Sequence, residues 1–299
     1  MPKHHTDHAK GLIITGIGGL ALTVDIPLLK LANGDAWSVL MLRTGTTFLA
    51  ALAIWIVWRL ISPSAPKLVP GRKGMAVACL YGLGSIFFVT AVYNTTTANL
   101  VFILAFNTMF AALLSWLFLH ERPRTGTLVA MLVMIAGILI IVWDSVGSGN
   151  LFGDLMAACS ALTIASAITI SRSSGENMGF TAIIGVIFPF AVAAIMVGGT
   201  GYSVAEPWWI IFNGAVIMPL SFYCLAAGPR YISGPEVSMF YLLETVLAPV
   251  WMWMIFEEAP SRNSLIGGVI LILALVAHSV WQLAEGGKRR AETAVKYPV

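Results

Sequence analysis

Charge is what this chain has least of. Only 10% of its 299 residues are Asp, Glu, Lys or Arg, against roughly 25% in a soluble globular domain. That supply cannot cover a water-facing surface, so the spans have to be counted before any site is sought. Cysteine is scarce too. Cys79, Cys159 and Cys224 stand in apolar segments without CxxC spacing, which reads as packing and excludes a disulfide framework or a thiolate metal centre. There is no HExxH, no DDxxD-like cluster, no GxGD with a second mid-depth aspartate, and no GxSG with a partnering histidine; an enzyme is not expected. No phosphate-binding loop is present, so any work would draw on gradients. The chain also lacks a basic face or module, which excludes nucleic acid as a partner. His4, His5 and His8 mimic ligand spacing but lie in a polar tail, so neither a metal nor a cofactor is expected.

Apolar length is what the chain has instead. It is 58% hydrophobic with a mean hydropathy of +0.87. Apolar runs of about 20 residues between short joints predict an all-α integral membrane fold of about ten helices. They fall near 10–30, 36–60, 74–94, 98–119, 125–143, 151–171, 179–198, 206–228, 235–256 and 263–284. The polar start MPKHHTDHAK, followed by a full-length apolar run, reads as a first span rather than a cleaved leader.

With ten spans both termini share a side. That side receives Lys3, Lys10, Arg59, Lys67, Arg72, Lys73, Arg122, Arg124, Arg172, Arg230, Lys288, Arg289, Arg290 and Lys296. The other receives only Lys30 and Arg262, and Arg43 lies inside a span. The positive-inside rule therefore places both termini in the cytoplasm. Trp37, Trp55, Trp58, Trp116, Trp143, Trp208, Trp209, Trp253 and Trp281 fall near predicted span ends, as an interfacial belt requires.

The chain repeats itself. A shift of 137 residues sets 98–141 on 235–278 without a gap, pairing Thr108 with Thr245, Ala111 with Ala248, Trp116 with Trp253, Glu121 with Glu258 and Pro123 with Pro260. A shift of 142 sets Gly11, Thr15, Gly19 and Thr23 opposite Gly153, Ala157, Ala161 and Ala165, a small residue every fourth position in both helices. The halves run near 1–145 and 148–290. Five spans per half inverts the second half, and charge follows: Arg122 and Arg124 flank Pro123, whereas Ala259 and Ser261 flank Pro260. Inverted repeats place sites near the midplane where the halves meet.

Few polar groups lie at that depth. Glu244 stands about 14 Å along its helix from the cytoplasmic start, and its repeat partner is Asn107. Either it binds a substrate ammonium or carries a proton, or it is a protonated packing residue. Tyr241 shares its helical face. Asp25 and Arg43 occupy similar, shallower depths, which suits a structural ion pair or a substrate or gating role. Pro27 frees a carbonyl beside Asp25 and marks a hinge or a static kink. Tyr81, Tyr93, Tyr223, Phe88, Ser166 and Ser238 are candidates to line an aromatic cavity. His278 reads as a structural histidine or a proton relay. Asn99 and Glu236 begin equivalent helices, where capping accounts for them.

Two five-helix repeats, with His-Glu-Arg-Pro at 120–123 and Glu-Glu-Ala-Pro at 257–260 before Gly- and Leu-rich fifth helices, resemble the EamA-like ten-span transporters of the drug/metabolite transporter superfamily. Within it the chain looks similar to aromatic-amino-acid exporters of the YddG type. The resemblance implies a secondary exporter of aromatic or other large neutral amino acids in the bacterial inner membrane, working by alternating access. A multidrug, organic-cation or other metabolite exporter is the alternative on the same fold. The implied partners are a small-molecule substrate and the lipid bilayer, and a monomer is compatible with the chain.

Overall fold

The computed structural model describes residues 2–61, 69, 71–120, 125–174, 181–227, 231 and 234–296. Glu121, Arg122, Pro123, Arg124 and Arg230 lie outside them, as do the side chains of His4, His5, His8, Arg172, Glu236 and Ser238.

Among the described residues ten apolar helical segments follow one another. Six are continuous: α3 (Ala36–Ile61), α4 (Gly71–Val92), α7 (Thr125–Ser148), α8 (Leu151–Ser174), α13 (Gly234–Phe256) and α14 (Arg262–Lys296). Four are interrupted. The first is α1 (Pro2–Leu22) with α2 (Asp25–Leu31), the fourth α5 (Thr97–Ala105) with α6 (Asn107–Leu119), and the seventh α9 (Thr181–Ile184) with α10 (Ile187–Thr200). The eighth is α11 (Pro207–Phe212) and α12 (Met218–Ala227), joined by a π-helical turn, Asn213–Ile217. Eight segments are long and apolar enough to cross a bilayer, and Ile187–Thr200 and Phe240–Phe256 are shorter apolar helices. Large apolar side chains such as Leu60, Leu117, Leu132 and Ile195 stay exposed, which is stable only against lipid.

Proline explains three of the interruptions. Pro27, Pro189 and Pro219 cannot donate to the carbonyls of Thr23, Gly185 and Ala215. The breaks fall where those carbonyls are released: at Thr23–Val24, at Gly185–Val186 and within the π turn. The fourth interruption, at Phe106, has no proline. There the chain tightens through a Phe106 N–H bond to the Ile103 carbonyl.

Packing crosses between the repeats. α1 lies on α12 and α13, while α8 lies on α4, α5 and α6. Each first helix of a repeat thus packs on the third and fourth spans of the other. The small-residue stripes of spans one and six serve these contacts rather than each other. α3 meets α10 and α7 meets α14 across the pseudo-symmetry axis. At the α7–α14 crossing a Cβ on Gly137 would sit 2.9 Å from the Gly267 carbonyl, and one on Gly267 2.5 Å from that of Gly137. Only glycine permits that approach.

The face opposite the termini is closed by polar contacts. Glu258 pairs with Lys30 at 2.6 Å and accepts the Thr97 N–H at 2.6 Å. The joint before α3 runs antiparallel to that before α11 through the Gly34–Val204 bridge, with Ala205 and Glu206 donating to the Asn33 and Ala32 carbonyls. Asn99 does not cap its helix; Thr96 does, accepting the Asn99 N–H. The Asn99 amide instead donates to Ser145 at 2.9 Å and more weakly to Asp154, and accepts from Ser264, while Thr95 donates to Asp154. Four spans are tied at one end by that network.

Candidate functional site

The charged residues of the bilayer interior meet at the broken spans. Asp25 is the first residue of α2, 2% exposed, directly after the break that Pro27 imposes. Arg43 projects from α3 and donates through Nη2 to Asp25 Oδ2 at 2.8 Å. A buried Asn213, the first residue of the π turn, completes the group: its Oδ1 accepts from Arg43 Nε at 3.2 Å and its Nδ2 donates to Asp25 Oδ1 at 2.7 Å. Arg43 Nη2 also touches the Met218 sulfur at 3.1 Å. The guanidinium lies 5.2 Å from the centroid of Phe88, within cation–π range. An intramembrane charge costs about 2.5–3.5 kcal/mol on insertion scales, and this pairing answers that cost for two of them.

Gly214 makes the arrangement possible. A Cβ there would lie 2.0 Å from Thr46 Oγ1 and 2.5 Å from the Arg43 carbonyl. The π turn therefore rests its backbone directly on α3 at Arg43. π turns recur where a helix must redirect a side chain toward a site.

Glu244, from α13, stands within electrostatic range of both Asp25 and Arg43. Hydrogen bonds join Asp25, Arg43 and Asn213, which the breaks in spans one and eight bring together; Glu244 is bonded to none of them among the described residues. Tyr241, one turn before Glu244 on α13, lies within electrostatic range of Tyr81 and Glu244 and is 43% exposed. Tyr81 is half-buried and Phe88 is buried. Trp251 Nε1 donates to Thr23 Oγ1 at 3.1 Å and fastens α13 to the break in span one.

Other expected site residues lie elsewhere. Asn107 starts α6 at the Phe106 break, half-buried, and makes no hydrogen bond to the cluster among the described residues. Tyr223 is 64% exposed. Ser166 returns its hydroxyl to the Leu162 carbonyl at 2.8 Å. His278 sits between α14 and α7, 3.0 Å from Thr127 Oγ1 and stacked on Trp281. An apolar groove of about 160 Å³ lined by Ile103, Phe106, Phe110 and Leu139 lies beside the Phe106 break; its lining includes none of the cluster residues. Asn213 was not singled out from the sequence. Its signal was an amide followed by glycine in the middle of an apolar span, six residues before a proline.

Ten helices in inverted repeats, with a polar cluster where discontinuous spans meet, define the class: a multi-pass membrane transporter. The chain belongs to the EamA-like transporter family, which matches residues 9–143 and again 151–280. It is 24% identical over 220 residues to an uncharacterized transporter of Synechocystis sp., covering 68% of this chain and 63% of that protein's length. It is 20% identical over 240 residues to the pseudopaline exporter CntI of Pseudomonas aeruginosa, covering 78% of this chain and 84% of that one. A solved crystal structure shares the fold with a TM-score of 0.65 at 16% identity, covering 92% of this chain and 98% of the other.

Proposed function

We propose that the chain exports aromatic or other large neutral amino acids from the cytoplasm, with both termini cytoplasmic, in a bacterial inner membrane. The observation that carries this reading is Glu244. It is an acid at mid-membrane with no hydrogen-bond or ion-pair partner among the described residues, set beside Tyr241 and within reach of Arg43. A substrate ammonium answers the carboxylate, and the rings of Tyr241, Tyr81 and Phe88 answer an aromatic side chain. Export agrees with the direction named for the pseudopaline exporter among its relatives. Transport needs only differential stability of two arrangements of the helices, so no chemical step is assigned to any residue.

The second reading, an exporter of organic cations or other metabolites, draws on the same region: Asp25 already occupies Arg43, leaving Glu244 as the acid without a partner among the described residues. Proteoliposomes holding the purified protein test both. Protein-dependent flux of labelled phenylalanine is expected, with competition by tryptophan and tyrosine. Flux of a quaternary ammonium without flux of any amino acid would favour the second reading.

A further inference from the structure

We propose that the free edge of the Arg43 guanidinium is a carboxylate subsite, aimed by Asn213, so that the transported class is the zwitterionic amino acid and not the amine alone. The proposal rests on the export reading above and deepens it.

A guanidinium has five N–H donors in a fixed plane. In Arg43, Nε goes to Asn213, and Nη2 to Asp25 and the Met218 sulfur. No described residue accepts from Nη1. The described polar atoms that are sealed from solvent without a partner are Asp35 Oδ2, Thr97 Oγ1 and Ser221 Oγ, and Nη1 is not among them. Nη1 therefore keeps some accessible surface, in a guanidinium that lies beside the Phe88 ring.

Both Asp25 oxygens already have a partner, Oδ2 in Arg43 and Oδ1 in Asn213, and its charge is answered by Arg43. Glu244 has neither a hydrogen bond nor an ion pair among the described residues. The interior thus presents one cationic edge and one carboxylate with aromatic rings beside them, the charge pattern of an amino acid's own head group reversed.

Asn213 fixes the plane of the guanidinium. It accepts from Nε and donates to Asp25 Oδ1 while Asp25 Oδ2 takes Nη2, so the Nε and Nη2 side of the planar group is held on three bonds. That orientation leaves Nη1 as the edge turned away from Asp25. Asn213 holds its place because the π turn begins at its carbonyl, which accepts the Met218 N–H, and because Gly214 lets the turn lie on the Arg43 backbone. Asn213 is a positioning residue; Arg43 and Glu244 are the contacts.

The test compares phenylalanine, phenylalaninamide and phenethylamine as substrates in proteoliposomes and as ligands in detergent thermal-shift titrations. For the unaltered protein phenylalanine is expected to bind at least tenfold more tightly than either analogue, since a site built for a polar group strongly rejects ligands lacking it. Asn213→Ala is expected to raise KM for phenylalanine about tenfold with kcat nearly kept, leaving phenethylamine unmoved. Arg43→Lys, which keeps the charge against Asp25 and loses the fork, is expected to erase the same discrimination, and stands as the readout should Asn213→Ala not fold. Equal KM for phenylalanine and phenethylamine, with flux present, overturns the carboxylate subsite and leaves the export reading intact. Neither flux nor binding of any aromatic amino acid overturns both.

Discussion

Removing the Asp25 carboxylate leaves the Arg43 guanidinium inside the bilayer without a counter-charge. Breaking a buried pair from one side costs about 3–5 kcal/mol, whereas removing both partners is nearly neutral. Asp25→Asn is therefore expected to lower thermal stability in detergent sharply, and Asp25→Asn with Arg43→Gln to regain most of it. Additive losses would show that the 2.8 Å pair carries no coupling. Glu244 behaves differently because no described residue pairs with it. Glu244→Gln keeps the shape and removes the acid, so folding should be unaffected while KM for an amino acid rises about tenfold, the low end of what a hydrogen bond to a charged group contributes, about 1.5 kcal/mol. The pH dependence of flux should flatten with it. Unchanged KM and an unchanged pH profile would reduce Glu244 to packing. Both acids and Arg43 stood out in the sequence because a charge in an apolar span is conspicuous. That Asn213 joins Asp25 to Arg43 was not readable, because the breaks in spans one and eight that set Asp25 and Asn213 in place leave no mark in hydropathy.

At the scale of the helix, hydropathy located the spans within a few residues, because span length is set by bilayer thickness and apolar composition alone. It could not locate the interruptions. Pro27 was noticed, yet Pro189 and Pro219 carry the same missing N–H and mark the breaks in spans seven and eight. The Phe106 interruption has no residue that announces it. The π turn gives the sharpest test at this scale. Gly214→Ala puts a methyl 2.0 Å from Thr46 Oγ1 and 2.5 Å from the Arg43 carbonyl. Overpacking of this kind costs about 1–3 kcal/mol. Adding Thr46→Ala should relieve only part of the loss, because the carbonyl remains. Full rescue would mean the turn does not bear on the α3 backbone.

For the whole molecule, the exchange of first helices between repeats matters more than the repeat boundary in sequence. Since α1 packs on α12 and α13, and α8 on α4, α5 and α6, the proposed alternating access would rock these mixed bundles against each other, with α3–α10 and α7–α14 between them. The clasp at Glu258 joins them: Lys30 belongs to span one, Thr97 to span four, and Glu258 to the joint after span nine. Opening the face opposite the termini has to break it. The ion pair is partly exposed, at 21% and 22% for its two side chains, and contributes about 0.2–1 kcal/mol. The charge-assisted bond to the Thr97 N–H adds about 1.5–3 kcal/mol. Glu258→Gln should then shift the population toward opening of that face by about tenfold. Hydrogen exchange reads this directly, as faster deuterium uptake in peptides covering residues 93–100 and 28–36 while the α7–α14 crossing stays protected. The repeat adds a sign. The offset of 137 pairs Glu258 with Glu121, and the offset of 142 that relates spans one and six pairs Lys30 with Arg172. Glu121→Gln should therefore slow exchange at Thr97, by favouring the state in which the Glu258 clasp is closed. Exchange that quickens in both variants would mean the two ends are not set against each other, and alternating access between these bundles would fall with that result.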